Sequence, residues 1–266
     1  MGVKQREHMH PLIVRHWHLE ICETELRRAA EFVNLESRWR GRNRFTNLLL
    51  TFELFIAMPE VQASGIRLPQ TTALRDYCNS GLPLGNPSLK ARLDETGDPE
   101  LKRLYEWSLA VNDSIDHHME PVPPFANALR ALQIMYGRSE MVVVSQTPTA
   151  ALIREWQLHK LEKYVSRIAG QEEGGKGSIL LHETAGRYRR NDILMIGDAP
   201  GDAAAAREAG ALFYPVMPGK EDAAWQHFCD KAYGRFLNDS YAGAYEAGLI
   251  YAFEAALPAD PPWRNS

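Results

Sequence analysis

Cysteine is scarce. Cys22, Cys78 and Cys229 are the three in 266 residues, and an odd, widely spaced set supports neither a disulfide framework nor a zinc site. Long apolar runs are also lacking: the best stretch, 48–58, is interrupted by Thr51 and Glu53, short of the ~20 residues that a membrane span needs. The amino-terminal residues contain no apolar h-region, and Gly2 is not followed by a hydroxyl residue at the spacing of N-myristoylation, so neither export nor a lipid anchor is expected. Basic charge is not in excess. Thirty Lys and Arg against 34 Asp and Glu leave a net charge of −4, which gives no field to gather nucleic acid. No Gly-x-Gly-x-x-Gly or Walker-type loop occurs, which argues against a dinucleotide-binding dehydrogenase or a P-loop NTPase. A cytoplasmic protein without nucleic-acid or membrane partners is the expectation.

What is present is ample material for a core, with 45% hydrophobic and 24% charged residues. The first 120 residues read as helices joined by turns. Phe45, Leu48, Leu49, Phe52, Phe55 and Ile56 keep a helical rhythm, with Thr46 or Asn47 as a cap and Pro59 as a stop. Turn residues dominate 81–87, and a helix is expected from about Pro99 to His117. Pro121, Pro123 and Pro124 then mark a boundary, because proline cannot continue a helix and stiffens the connection it occupies. Beyond it, β-rich runs at 141–144, 164–168, 193–196 and 212–216 alternate with helical stretches at 150–156, 179–185 and 203–209. That alternation predicts an α/β fold, a Rossmann-like parallel sheet with helices on both faces, over residues 123–266. Residues 1–122 form a separate helical domain.

The sharpest chemical signal follows the third of these runs, where Ile193-Leu-Met-Ile-Gly-Asp198 is succeeded by Ala-Pro-Gly-Asp202. Ligands of open α/β sheets bind at the carboxyl ends of the strands. Asp198 and Asp202 at such an edge suit Mg²⁺, which takes few protein carboxylates and completes its shell with water and phosphate oxygens. A capping role for Asp202 and a turn role for Asp198 are the alternative. Upstream, the run 141–144 ends at Ser145, with Gln146 beside it, and the amides of the next helix start are placed to hold an anionic oxygen. Between them, Lys176 in Gly-Gly-Lys-Gly precedes a helix, from which an ammonium group can reach a phosphate.

The order of these features resembles the haloacid dehalogenase-like superfamily. Its second motif is an apolar strand ending in Ser or Thr, its third a lysine, and its fourth an apolar strand followed by Gly-Asp and a further acid; Ser145, Lys176, Asp198 and Asp202 match them. The helical first half is similar to the cap of an uncharacterised subgroup, through Ala30-Glu-Phe-Val-Asn-Leu35, Trp39-Arg-Gly and Asn43-Arg-Phe45. The resemblance implies Mg²⁺-dependent hydrolysis of a small phosphorylated metabolite through an aspartyl-phosphate. Asp198 and Asp202 would hold the metal, Ser145 and Gln146 the phosphoryl oxygens, and Lys176 would balance charge. A dehalogenase or phosphonatase reaction on the same scaffold, or a non-catalytic relative binding a phosphometabolite or a protein, are the alternatives.

One part of the family pattern is missing, for no Asp-x-Asp occurs in these 266 residues. In the family that motif ends a strand lying between those that end here at Ser145 and Asp198, and it supplies the nucleophile. Without it covalent transfer loses its central step, and the sheet is expected to be interrupted at its middle. A form extended upstream with the motif is expected to hydrolyse p-nitrophenyl phosphate where this chain does not. Arg38, Arg40, Arg42 and Arg44 cluster around Trp39, where Arg38 and Arg40 are candidates to clamp a substrate anion, against a solvated basic turn as the plainer reading. His8 and His10, two apart, cannot share a helix face, which argues against a metal cluster of His8, His10, His16 and His18.

Overall fold

The computed structural model describes residues 1–264. The chain forms two compact units, Met1–Glu120 together with the tail from Ala259, and Pro121–Pro258. Among the described residues, no helix is long and apolar enough to cross a membrane.

The first unit is helical. A π-helical turn, Lys4–Met9, runs into α1 (His10–Trp17), followed by α2 (Glu23–Glu31), α3 (Arg44–Ile56), α4 (Pro59–Ala63), α5 (Thr72–Cys78), α6 (Asn86–Thr96) and α7 (Pro99–His118). Trp17, Phe45, Phe52, Phe55, Tyr77 and Trp107 fill its core. Trp17 meets Phe52 and Trp107 edge-on, with ring centroids 5.1 and 6.1 Å apart, the arrangement that ring quadrupoles favour. The cap of α3 is Asn43, whose side-chain oxygen accepts from the Phe45 N–H at 2.9 Å, rather than Thr46 or Asn47. Pro59 does not only end α3; it opens α4 from the first-turn position where its missing N–H costs nothing. The turn-rich stretch 81–87 runs directly into α6, which buries only Leu89 fully and so carries almost no helical periodicity.

The second unit alternates: α8 (Ala126–Met135), β1 (Val142–Val144), α9 (Thr149–Leu158), β2 (Arg167–Ala169), α10 (Lys176–Thr184), β3 (Leu194–Gly197), α11 (Pro200–Glu208) and β4 (Leu212–Pro215). It closes with α12 (Glu221–His227), a π-helical turn over Phe228–Ala232, α13 (Tyr233–Leu237) and α14 (Ala244–Ala255). The pair β3–β4 is covered on both faces. Leu194, Ile196, Leu212 and Tyr214 pack with Met135, Phe228 and Tyr233, while Ile193, Met195 and Phe213 pack with Ala203, Ala206 and Phe253. All strand pairing is parallel, as βαβ connections require. One continuous sheet is not formed, however. β1 pairs with β2 and β3 with β4, as two separate two-stranded sheets, because β1 and β3 each turn an edge to a cavity and not to one another.

Candidate functional site

The tip of β3 is built by its glycine. A Cβ added at Gly197 would lie 2.3 Å from the Asp202 Cβ, so only glycine lets the first turn of α11 fold back onto the strand. Asp202, third residue of that helix, is buried, and its Oδ2 accepts from the N–H groups of Asp198 (3.0 Å) and Ala199 (3.1 Å). Its other oxygen, Oδ1, accepts from Lys176 Nζ at 2.5 Å. Asp202 is buried and Lys176 half-buried, so losing the lysine would strand the Asp202 charge. Lys176 is the first residue of α10, and Gly177 brings that helix close to α11, a Cβ there lying 2.1 Å from the Glu208 carboxylate.

The tip of β1 is tied to the same place. Ser145 extends the β1–β2 ladder through its N–H to the Ala169 carbonyl (3.0 Å), and its Oγ accepts from the Thr147 N–H (3.1 Å). Gln146, exposed, donates from Nε2 to the Gly174 carbonyl at 3.0 Å, which joins the loop after β1 to the loop carrying Lys176. The start of α9 already holds an anion of the protein's own. Glu172 Oε2 accepts from both the N–H and the hydroxyl of Thr149, at 3.0 and 2.7 Å, contacts that keep the Glu172 carboxyl below its ordinary range.

Lys176, Asp198 and Asp202 line one end of a cavity of about 1030 Å³ that also touches Val142, Val143 and Val144 of β1 and all four residues of β3. Its other end carries a second polar cluster. Glu140, just before β1, accepts from Arg187 Nη2 at 2.7 Å and from the Tyr188 hydroxyl. The Tyr188 bond, with Arg187 beside it, holds the Glu140 carboxyl low and raises the Tyr188 phenol. Arg189 grips Asp192, just before β3, through two bonds of 2.7 and 2.9 Å.

Sequence reasoning singled out Ser145, Gln146, Lys176, Asp198 and Asp202; the structure bonds Lys176 and Asp198 to Asp202, while Gln146 reaches Gly174 in the loop before Lys176 and Ser145 bonds Ala169 and Thr147. The same reasoning missed Glu140, Glu172 and the Arg187–Tyr188–Arg189 run, whose residue types carry no motif. Arg38 and Arg40 belong to the first unit. Arg40 is buried and donates to the Leu35 carbonyl at 3.0 Å, whereas Arg38 is exposed and lies over the Trp39 ring. Arg44 is also internal, donating to the Asn112 side-chain oxygen at 2.8 Å, and burial lowers its pKa. Of the amino-terminal histidines, His8 meets the Ser114 hydroxyl at 2.9 Å and His10 is fully buried.

Among the described residues, no three His, Cys, Asp or Glu side chains gather as a metal cage. Mg²⁺ requires fewer: one or two carboxylates, with water and phosphate oxygens completing six positions. Asp198 and Asp202 at the β3 tip fit that demand in its sparse form, with Asp202 oxygens shared with Lys176 and two amides. Neither protein-family models, nor curated proteins, nor solved structures yield a match to this chain.

Proposed function

We propose that the second unit binds the phosphoryl group of a small phosphorylated metabolite together with Mg²⁺, as the core of a haloacid dehalogenase-like protein whose helical first unit is the cap. The observation that carries this reading is the Lys176–Asp202 pair, fixed at the carboxyl end of β3 by two backbone amides and sharing a cavity wall with Asp198. Lys176 spends one N–H on Asp202 and retains two for phosphoryl oxygens. The Ser145 hydroxyl accepts from Thr147 and keeps its own proton to donate. Asp202 is then a positioning residue that also shares in the metal's field, and Asp198 is the principal ligand. When bound, Mg²⁺ supplies charge neutralisation and polarisation of a phosphoryl oxygen. These 266 residues hold no Asp-x-Asp, so in them the proposed activity is binding and not covalent turnover.

Titration calorimetry of the chain with inorganic phosphate, with and without Mg²⁺, tests the reading. Phosphate is expected to bind only with Mg²⁺. Asp198→Asn and Lys176→Met are each expected to weaken binding by about tenfold or more, the loss of one charge-assisted contact. Mg²⁺-independent binding, or affinity unchanged in both variants, overturns it.

A further inference from the structure

The cavity of the second unit meets its two strands along their hydrogen-bonding edges. Side chains alternate faces along a strand, so consecutive residues line one space only where that space adjoins the edge. Here the lining includes the unbroken runs 137–144 and 192–198. The direction of the main chain agrees. In a parallel ladder the N–H and C=O of one residue point to the same side and those of its neighbours to the other. Met141 C=O and Ser145 N–H bond β2, and Ile193 C=O and Gly197 C=O bond β4. Val142 and Val144, and on the facing strand Leu194 and Ile196, therefore turn their main-chain groups away from their partners and towards the cavity.

The two edges run in the same direction. At their carboxyl ends, Gln146 bonds Gly174 and Lys176 bonds Asp202. At their amino ends, Arg187 and Tyr188 hold Glu140, and Arg189 holds Asp192. Helix α10 begins at the first set of ties and the segment after it supplies the second, so it spans the cavity as a strut. The space is also of the right order. A strand of five or six residues, about 17–20 Å long with spacings of about 4.8 Å to its neighbours and about 10 Å between layers, occupies roughly 800–1000 Å³; the cavity holds about 1030 Å³.

We infer that this cavity is an acceptor for one extended, apolar peptide segment, which enters parallel to β1 and β3 and joins the two pairs into a five-stranded sheet. A compact ligand would match the apolar lining but not four residues' worth of donors and acceptors repeating at strand spacing. Because the walls above and below include Met135, Trp156, Leu180 and Phe228, the segment is apolar on both faces, as a strand buried on both sides must be. The inference stands apart from the phosphoryl reading, since strand binding and phosphate binding have separate readouts.

Amide hydrogen exchange of the labelled chain tests it. In the chain alone, Val142, Val144, Leu194 and Ile196 are expected to exchange about a hundredfold faster than Val143 and Met195, whose amides face their partner strands. The soluble probe Lys-Lys-Ile-Val-Phe-Val-Ile-Lys-Lys, at about 1 mM, is expected to slow those four amides by about tenfold or more and to shift the emission of Trp156 and Trp225, both in the cavity wall. The same peptide N-methylated at each of its five apolar residues keeps the apolar side chains but loses the donors of both edges, and is expected to do neither. Four results overturn the inference: equal protection of both sets in the chain alone, no slowing with the probe, equal slowing by the N-methylated peptide, or protection that rises with protein concentration and marks a second copy as the occupant.

Discussion

His10 is fully buried in the first unit, and neither ring nitrogen has a hydrogen-bond partner in the structure. Burial is the main reason its pKa falls from 6.5 to about 4, with Glu31 pulling the other way and Arg27 and Arg6 adding to the fall. The unfolded chain therefore takes up a proton near pH 6.5 and the folded one only near pH 4. Between these values the unfolded state binds more protons, so stability is fully present above pH 6.5 and declines as the pH falls towards 4. The loss amounts to about 3 kcal/mol across that window. Urea unfolding at pH 7 and pH 4.5 is expected to show it, and His10→Leu, which removes the titrating group, is expected to flatten the decline. An equally steep acid limb in that variant would assign the loss to other groups.

At the scale of elements, α7 shows how a helix start is specified. Asp98 accepts from the Glu100 and Leu101 N–H groups at 2.7 and 3.1 Å, with Pro99 next in line, and Asp98→Ala is expected to cost about 1 kcal/mol in chemical unfolding. An unchanged midpoint would show that tertiary packing alone holds that end. Because cap, proline and apolar rhythm coincide in α7, its start and nearly its end could be read from residue types. The strands were legible to within a residue or so at β1, β3 and β4, where an apolar run ends in Ser, Gly or Pro. β2 was not: Glu162–Tyr164 forms a 3₁₀ turn, and the strand starts only at Arg167, whose charged side chain breaks the apolar signal. Among the candidate site residues, Ser145 and Asp198 directly follow β1 and β3, and Lys176 and Asp202 lie in the first turns of α10 and α11, positions that the apolar runs and glycines beside them mark in the sequence. The grip of Glu140 by Arg187 and Tyr188 was not legible, because it joins residues 47 and 48 positions apart that have no spacing to read. Separation of the strands into two pairs follows the expectation drawn from the resemblance, in which a strand between those ending at Ser145 and Asp198 is missing: β1 pairs with β2 and β3 with β4.

For the molecule as a whole, each unit has its own apolar core. Trp17, Phe52 and Trp107 belong to one, and Leu212, Tyr214, Phe213 and Phe253 to the other. Scanning calorimetry is expected to resolve two transitions. Gly197→Ala forces a Cβ against the Asp202 side chain, an overpacking cost of about 1–3 kcal/mol, and is expected to lower one transition while Asp98→Ala lowers the other. A single transition that both substitutions move would show that the two cores melt as one. The strut formed by α10 has a consequence for biosynthesis. Its ties at both ends join residues far apart along the chain, so on the ribosome the bare rim of β1 emerges well before the clamp that frames it. Until then that rim is a sticky template on which stray nascent chains can stack, and the yield of folded protein should depend on chaperone capacity and on how quickly residues 176–202 leave the exit tunnel.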